Sequence, residues 1–164
     1  ITALINGTSH QNLIIYGPKR PVNSVKRLVV TVPQMAELEI GFDLWFDRVK
    51  NIASQLSIPI VFYANKTTTE ALKKQCEIHS SLNVSFRELA SWEDFLIISK
   101  DIKHSDTLIV ITARKATVSY NNLFEKIPYY LNKYFADNNF LLIYPQQTAP
   151  DGTDNDIYNP LKIS

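Results

Sequence analysis

Glycine, histidine and cysteine are all scarce in this 164-residue chain, and each shortage closes a class of chemistry. The one cysteine, Cys76, cannot form an internal disulfide, which fits a reducing compartment. The three histidines, His10, His79 and His104, have no metal-ligand spacing with one another or with Cys76, so no metal site is visible. An excess of one charge is missing too. Seventeen Lys+Arg against 16 Asp+Glu leave +1, and no global field points to nucleic acid. Apolar runs such as Leu108 to Ile111 and Phe140 to Tyr144 have the size of strands, whereas a membrane helix needs about 20 apolar residues. The chain is therefore not expected to span a bilayer. It starts at Ile1 with neither a signal nor a targeting pattern, which suggests a piece of a longer polypeptide.

What is present is a regular alternation of elements after residue 27. Arg27 to Val32 reads as a buried strand stopped by Pro33. Glu39 to Leu56 reads as a helix with Phe42, Trp45, Val49, Ile52, Ala53 and Leu56 on one stripe. Pro59 to Ala64 is a second strand, and a capping box at Thr67 and Glu70 opens a helix to about His79. Asn83 to Leu89 alternates like a half-buried strand near a sheet edge. Ser91 and Asp94 cap a helix to about Asp101; the Leu108 strand, a long loop, a helix from about Pro128 to Ala136 and the strand Phe140 to Tyr144 follow.

This order predicts an α/β, doubly wound domain over residues 27–147. Its mostly parallel five-stranded sheet would run 3-2-1-4-5 with helices on both faces. Residues 1–26 read as a linker, and 148–164 as a polar tail. The topological switch point falls between the first and fourth strands. The candidate ligand site is therefore Pro33 and Gln34 on one side, and Thr112, Ala113, Arg114, Lys115, Thr117 and Ser119 on the other. Phosphates bind there against backbone N–H groups in many open α/β sheets, but this loop holds no glycine.

Two readings of the loop compete. Arg114 and Lys115 hold an anion with Thr117 and Ser119 as hydroxyl donors, or they lie on a solvated loop and pair with Glu125. The length of the loop favours a functional role, and a partner-binding loop needs no glycine. Ser119 and His104 do not make a nucleophile and base, because they belong to opposite ends of one strand and no Gly-x-Ser-x-Gly elbow exists. The chain is accordingly expected not to be an enzyme. Glu37 and Glu39 suit the positive end of a helix dipole, and Cys76 a small buried hydrophobe. Tyr129, Tyr130, Tyr134 and Phe135 exceed what one core stripe needs. Tyr130 and the outer strand's Phe140, Leu142 and Tyr144 are thus the candidate interface for a homodimer.

Three segments carry a family resemblance: Val32 to Phe42 (VPQMAELEIGF), Ile111 to Tyr120 (ITARKATVSY) and Ile127 to Gln147 (IPYYLNKYFADNNFLLIYPQQ). Over roughly residues 25–147 the chain resembles the universal stress protein fold. More specifically, it resembles the C-terminal domain that follows the membrane helices of bacterial cation:proton (sodium/hydrogen) antiporters. The resemblance implies a regulatory domain on the cytoplasmic face of the inner membrane, joined to a membrane transport domain of the same polypeptide. It also implies pairing through the outer strand. The nucleotide-binding members of the universal stress family carry Gly-x-x-Gly, nine residues, then Gly-Ser/Thr. Here Ala113 to Ala116 replace the first glycines, and no Gly-Ser follows. No cofactor is therefore expected, although an adenine nucleotide stays open as the alternative: a free-standing nucleotide-binding protein with a degenerate phosphate loop. The antiporter context also predicts a basic juxtamembrane entry, which Lys19, Arg20, Lys26 and Arg27 supply; four such residues are equally at home in a solvated linker.

Overall fold

The β-branched and aromatic runs become strands in the computed structural model of the chain, which describes residues 5, 7, 9–78 and 82–148. The strands are β1 (Leu13–Gly17), β2 (Arg27–Thr31), β3 (Ile60–Ala64), β4 (Val84–Glu88), β5 (Asp106–Ile111) and β6 (Asn139–Tyr144). They form one sheet in the order β1-β6-β5-β2-β3-β4. Strands β2 to β6 pair in parallel, and β1 lies antiparallel on β6, with Leu13 opposite Tyr144 and Gly17 opposite Phe140. The architecture is mixed α/β with a mostly parallel sheet.

The sheet has six strands rather than the expected five, and the order extends by β1 beyond the last parallel strand. Residues 13–17, read as part of a linker, belong to the domain. So do Lys19 and Arg20, whose backbone N–H groups donate to Asn139 Oδ1 at 2.6 and 2.7 Å. The physical reason is edge protection: β1 pairs along the whole open side of β6, which would otherwise leave its backbone groups unpaired. Gly17 permits this approach, because a Cβ there would meet the Phe140 ring at 2.1 Å.

Helices cover both faces. Helix α1 (Phe42–Leu56) buries Phe42, Trp45, Val49 and Ala53 of the expected stripe and adds Phe46, while Ile52 and Leu56 of that stripe are half-buried. Its end is closed by Ser57 in the left-handed region and by the Ile58 N–H donating to Ala53 O at 3.0 Å. Helix α2 (Lys66–Ile78) is capped by Asn65, whose Oδ1 accepts the Thr68 N–H at 2.8 Å, instead of by the expected Thr-x-x-Glu box. His79 and the tail beyond Thr148 lie outside the described residues.

The other face carries two 3-10 helices, Trp92–Lys100 and Asn122–Lys126, and helix α3 (Ile127–Tyr134). The first replaces the expected helix to Asp101, with the Ser91 cap in place. The second shortens the long loop, its Asn121 side chain accepting the Leu123 N–H at 2.8 Å. Alternation along the strands sorts the core. Leu28, Val30, Ile109 and Ile111 pack under α1 and α2, while Val29, Leu108 and Val110 pack with Trp92, Phe95 and Leu131. An ionic group fixes the Trp92–Lys100 segment to the sheet: Asp101 accepts from the Tyr63 hydroxyl at 2.6 Å and pairs with Arg87 at 3.0 Å and Arg27 at 3.5 Å.

Candidate functional site

Strands β2 and β5 are neighbours in the sheet, and the chain leaves them in opposite lateral directions, β2 toward β3 and β5 toward β6. Their carboxyl ends therefore form the switch point where an open α/β sheet offers a crevice. The sequence-named residues meet there, and most are committed to the chain itself.

On the β2 side, Pro33 is buried and its carbonyl accepts the Ala36 N–H at 3.3 Å. Gln34 is exposed and donates from Nε2 to Ala90 O at 2.8 Å. Between them and α1, Met35 holds a φ of 62° and a 3-10 turn spans Ala36–Leu38. On the β5 side, the Thr112 N–H and hydroxyl both donate to Ile143 O, at 2.8 and 2.9 Å, and Ala113 is buried beneath.

Arg114 is only 4% exposed, and its guanidinium is a clamp on main-chain carbonyls. Nε donates to Ile5 O at 2.7 Å, Nη1 to Pro145 O, and Nη2 to Gln11 O at 3.3 Å. Its backbone N–H donates to Gln147 Oε1 at 2.7 Å, and Gln147 Nε2 donates on to Thr117 Oγ1 at 2.9 Å. The residue thus ties the loop after β5 to the segments before β1 and after β6. Burial pushes the guanidinium below its ordinary pKa, and the nearby Tyr144 opposes that shift. The expectation that Arg114 holds an external anion is corrected, because three carbonyls from two distant segments already occupy its donors.

Lys115 follows the surface reading. Its ammonium lies 2.7 Å from Glu125, whose other contact is the Tyr120 hydroxyl at 3.1 Å. That bond raises the Lys115 pKa and lowers that of Glu125. Thr117 turns inward, donating its hydroxyl to Arg114 O at 2.7 Å. Ser119 is buried, and both its N–H and its hydroxyl donate to Glu39 Oε1, at 3.1 and 2.6 Å. This bond joins the two loops across the switch point. No histidine joins it, since His104 sits beside Asp137 at 3.8 Å, before β5.

The sequence reading missed Glu39 and Gln147. In sequence Glu39 suits a helix start, yet α1 begins at Phe42, and the carboxylate crosses to Ser119. Gln147 carried no local signal at all. One further feature was hidden: Ala116 has a φ of 69°, so the loop makes a left-handed turn without glycine. What space is left is a cleft of about 180 Å³ between Met35, Trp92, Val118 and Asn121. Trp92 is buried there, and its indole N–H has no partner among the described residues.

The candidate interface is also rearranged. Tyr130 is half-buried, its ring stacked 6.1 Å from Phe95. Leu142 is buried, Phe140 and Tyr144 are half-buried, and β6 is paired on both sides. Pairing of two copies through β6 is therefore corrected: its backbone groups are taken up by β1 and β5. The open edges are β1 and β4.

Among the described residues, no group of three His, Cys, Asp or Glu side chains gathers to hold a metal ion. No helix among them is long and apolar enough to cross a membrane. Cys76 is half-buried, and burial pushes its thiol up, away from the reactive thiolate. No protein-family model matches the chain, and no curated protein is similar to it in sequence.

Proposed function

We propose that this chain is a non-catalytic regulatory domain of a bacterial cation:proton antiporter, attached to the membrane transport domain of the same polypeptide on the cytoplasmic side. The observation that carries the non-catalytic reading is the occupied switch point. Where such sheets open a ligand crevice, Arg114 binds three carbonyls of its own chain and Glu39 binds Ser119. What that edge offers outward is apolar: Met35, Leu38, Ile40 and Val118 are 46%, 66%, 61% and 51% exposed. Such side chains suit contact with protein better than with a polyphosphate. The antiporter assignment rests on the resemblance of the three segments quoted above. In this reading the domain biases the transporter through protein contacts, and two copies pair, if through strands, along β1.

The second reading, a free-standing nucleotide-binding protein, draws on the left-handed turn at Ala116 and the cleft beside Trp92. Thermal unfolding with ATP, ADP, AMP, cyclic dinucleotides and NAD separates the two. The regulatory reading expects an unchanged Tm with each. A nucleotide at 100 times its Kd would add about 2.7 kcal/mol of stability, and that shift would decide for the second reading. The antiporter assignment has its own check: the coding sequence upstream of Ile1 should encode a series of apolar spans of about 20 residues. An upstream start codon with no such spans would sink it.

A further inference from the structure

Helix α3 and the edge of the sheet beside it carry a surface that the switch point does not use. Helical spacing puts Lys126, Tyr129 and Lys133 on one stripe, at i, i+3 and i+7, and all three are exposed. Lys133 Nζ donates to the Tyr129 hydroxyl at 2.9 Å and lies 5.4 and 5.2 Å from the ring centres of Tyr129 and Tyr134. Those two rings are 58% and 40% exposed. Alongside runs an apolar groove of about 370 Å³ between α3 and the β1–β6 edge, walled by Ile15, Leu131, Phe140 and Leu142, with Lys19 also lining it.

Cations outnumber acids on this face, where Arg20 Nε also donates to the main-chain carbonyl of the exposed Asp137 at 3.2 Å. Lys19, Arg20, Lys126 and Lys133 are exposed. Among the described residues, no carboxylate lies within ion-pair distance of any of the four. The nearest acids in sequence are engaged elsewhere: Glu125 is held by Lys115 at 2.7 Å, and Asp137 sits 3.8 Å from His104. Cations, exposed tyrosines and an apolar slot on one surface are complementary to one partner chemistry. Anionic headgroups meet the lysines, phenol rings sit at headgroup depth, and an acyl segment fits the slot.

We infer that this face docks on a bilayer containing anionic lipid, with Lys19, Lys126 and Lys133 on the headgroup phosphates and the groove taking hydrocarbon. The inference goes beyond the regulatory reading and does not depend on it, since a free-standing protein with this face would bind the same surface. The test is flotation of the full chain with vesicles of phosphatidylcholine, and with vesicles of phosphatidylcholine and phosphatidylglycerol. Binding is expected only to the mixed vesicles, and it should weaken as salt shortens the range of the charges. Each lysine near such a surface multiplies affinity roughly fivefold, so the double substitution Lys126→Glu, Lys133→Glu should lower binding by at least tenfold. Tyr129→Ser should weaken binding at every salt concentration. Lys74→Glu, on α2 across the sheet, should bind like the parent. All four positions are exposed, so unchanged Tm values verify that the variants fold. Equal binding to both vesicle types, no binding, or a charge-reversed variant that floats like the parent each overturn the inference. So does inositol hexaphosphate binding to this face in the absence of vesicle binding, which would assign it to a soluble polyanion.

Discussion

Arg114 illustrates how one residue type supports opposite roles. In sequence it is a cation in a loop at a switch point; in the fold it is 4% exposed and caps carbonyls of Ile5, Gln11 and Pro145. A guanidinium can serve several acceptors in one plane, and an ammonium cannot. Arg114→Lys is therefore expected to lower the unfolding free energy by about 2 kcal/mol, and Arg114→Ala by about 3, because buried acceptors lose their donors. Urea denaturation measures both, and an unchanged midpoint for Arg114→Ala would show that its donors matter to nothing. The neighbouring Lys115 was legible as a surface cation, since Glu125 lay close in sequence. Arg114 was not, because each of its partners is distant along the chain. Asn139 is a comparable case: its side chain orders Lys19 and Arg20, which no local pattern reveals.

At the scale of elements, the helices α1 and α2 and the five parallel strands follow from periodicity and apolar runs, although the start of each helix does not: Gly41 precedes α1 without a side-chain cap, and Asn65 caps α2. Two kinds of element escaped. The 3-10 helices Trp92–Lys100 and Asn122–Lys126 share their caps and apolar content with α-helices, so sequence does not separate them. Strand β1 is five residues without a turn signal linking it to a partner, and its pairing is wholly long-range. The loops at the switch point show a further compensation. Both Met35 and Ala116 adopt positive φ without glycine although both are exposed, and the turn at Ala116 is closed by the Thr117 N–H donating to Arg114 O at 3.3 Å. Gly41 sits where a Cβ would meet Gln146 backbone oxygen at 2.5 Å, so the chain spends a glycine on close packing of loops. Ala116→Gly should therefore stabilise the fold, by about 0.5–1 kcal/mol, since the left-handed penalty it removes exceeds the added freedom of the unfolded chain. A lowered Tm for this variant would mean that the Ala116 methyl contributes packing that outweighs the strain.

For the whole molecule, the ionic group around Asp101 contributes to how stability responds to pH at both ends of the range. Burial by itself would raise the Asp101 carboxyl, but the Tyr63 hydroxyl and then Arg27 and Arg87 outweigh it, and its net shift is downward. The unfolded chain then binds the proton first, so stability falls as pH drops below about 4, the ordinary aspartate range. Burial, and then the Asp101 hydrogen bond, push the Tyr63 hydroxyl up to about 12. The folded protein keeps that proton after the unfolded chain has lost it, so stability falls again as pH rises from about 10 toward 12. Asp101→Asn should flatten the acid limb and Tyr63→Phe the alkaline one, read from unfolding midpoints across pH; a variant that parallels the parent on its limb refutes that assignment. These two limbs rest on contacts between residues far apart in the chain, as does the fate of the switch point. By itself, the sequence determined the α/β class, the parallel strands, the stripes that face the core and the place where two loops converge, because periodicity and apolar runs are local. Only the tertiary structure decided that β6 is covered by β1, that Glu39 reaches Ser119 and that Arg114 turns inward. Each depends on which distant carbonyl, carboxylate or strand edge lies within hydrogen-bonding reach, and no local pattern encodes that distance.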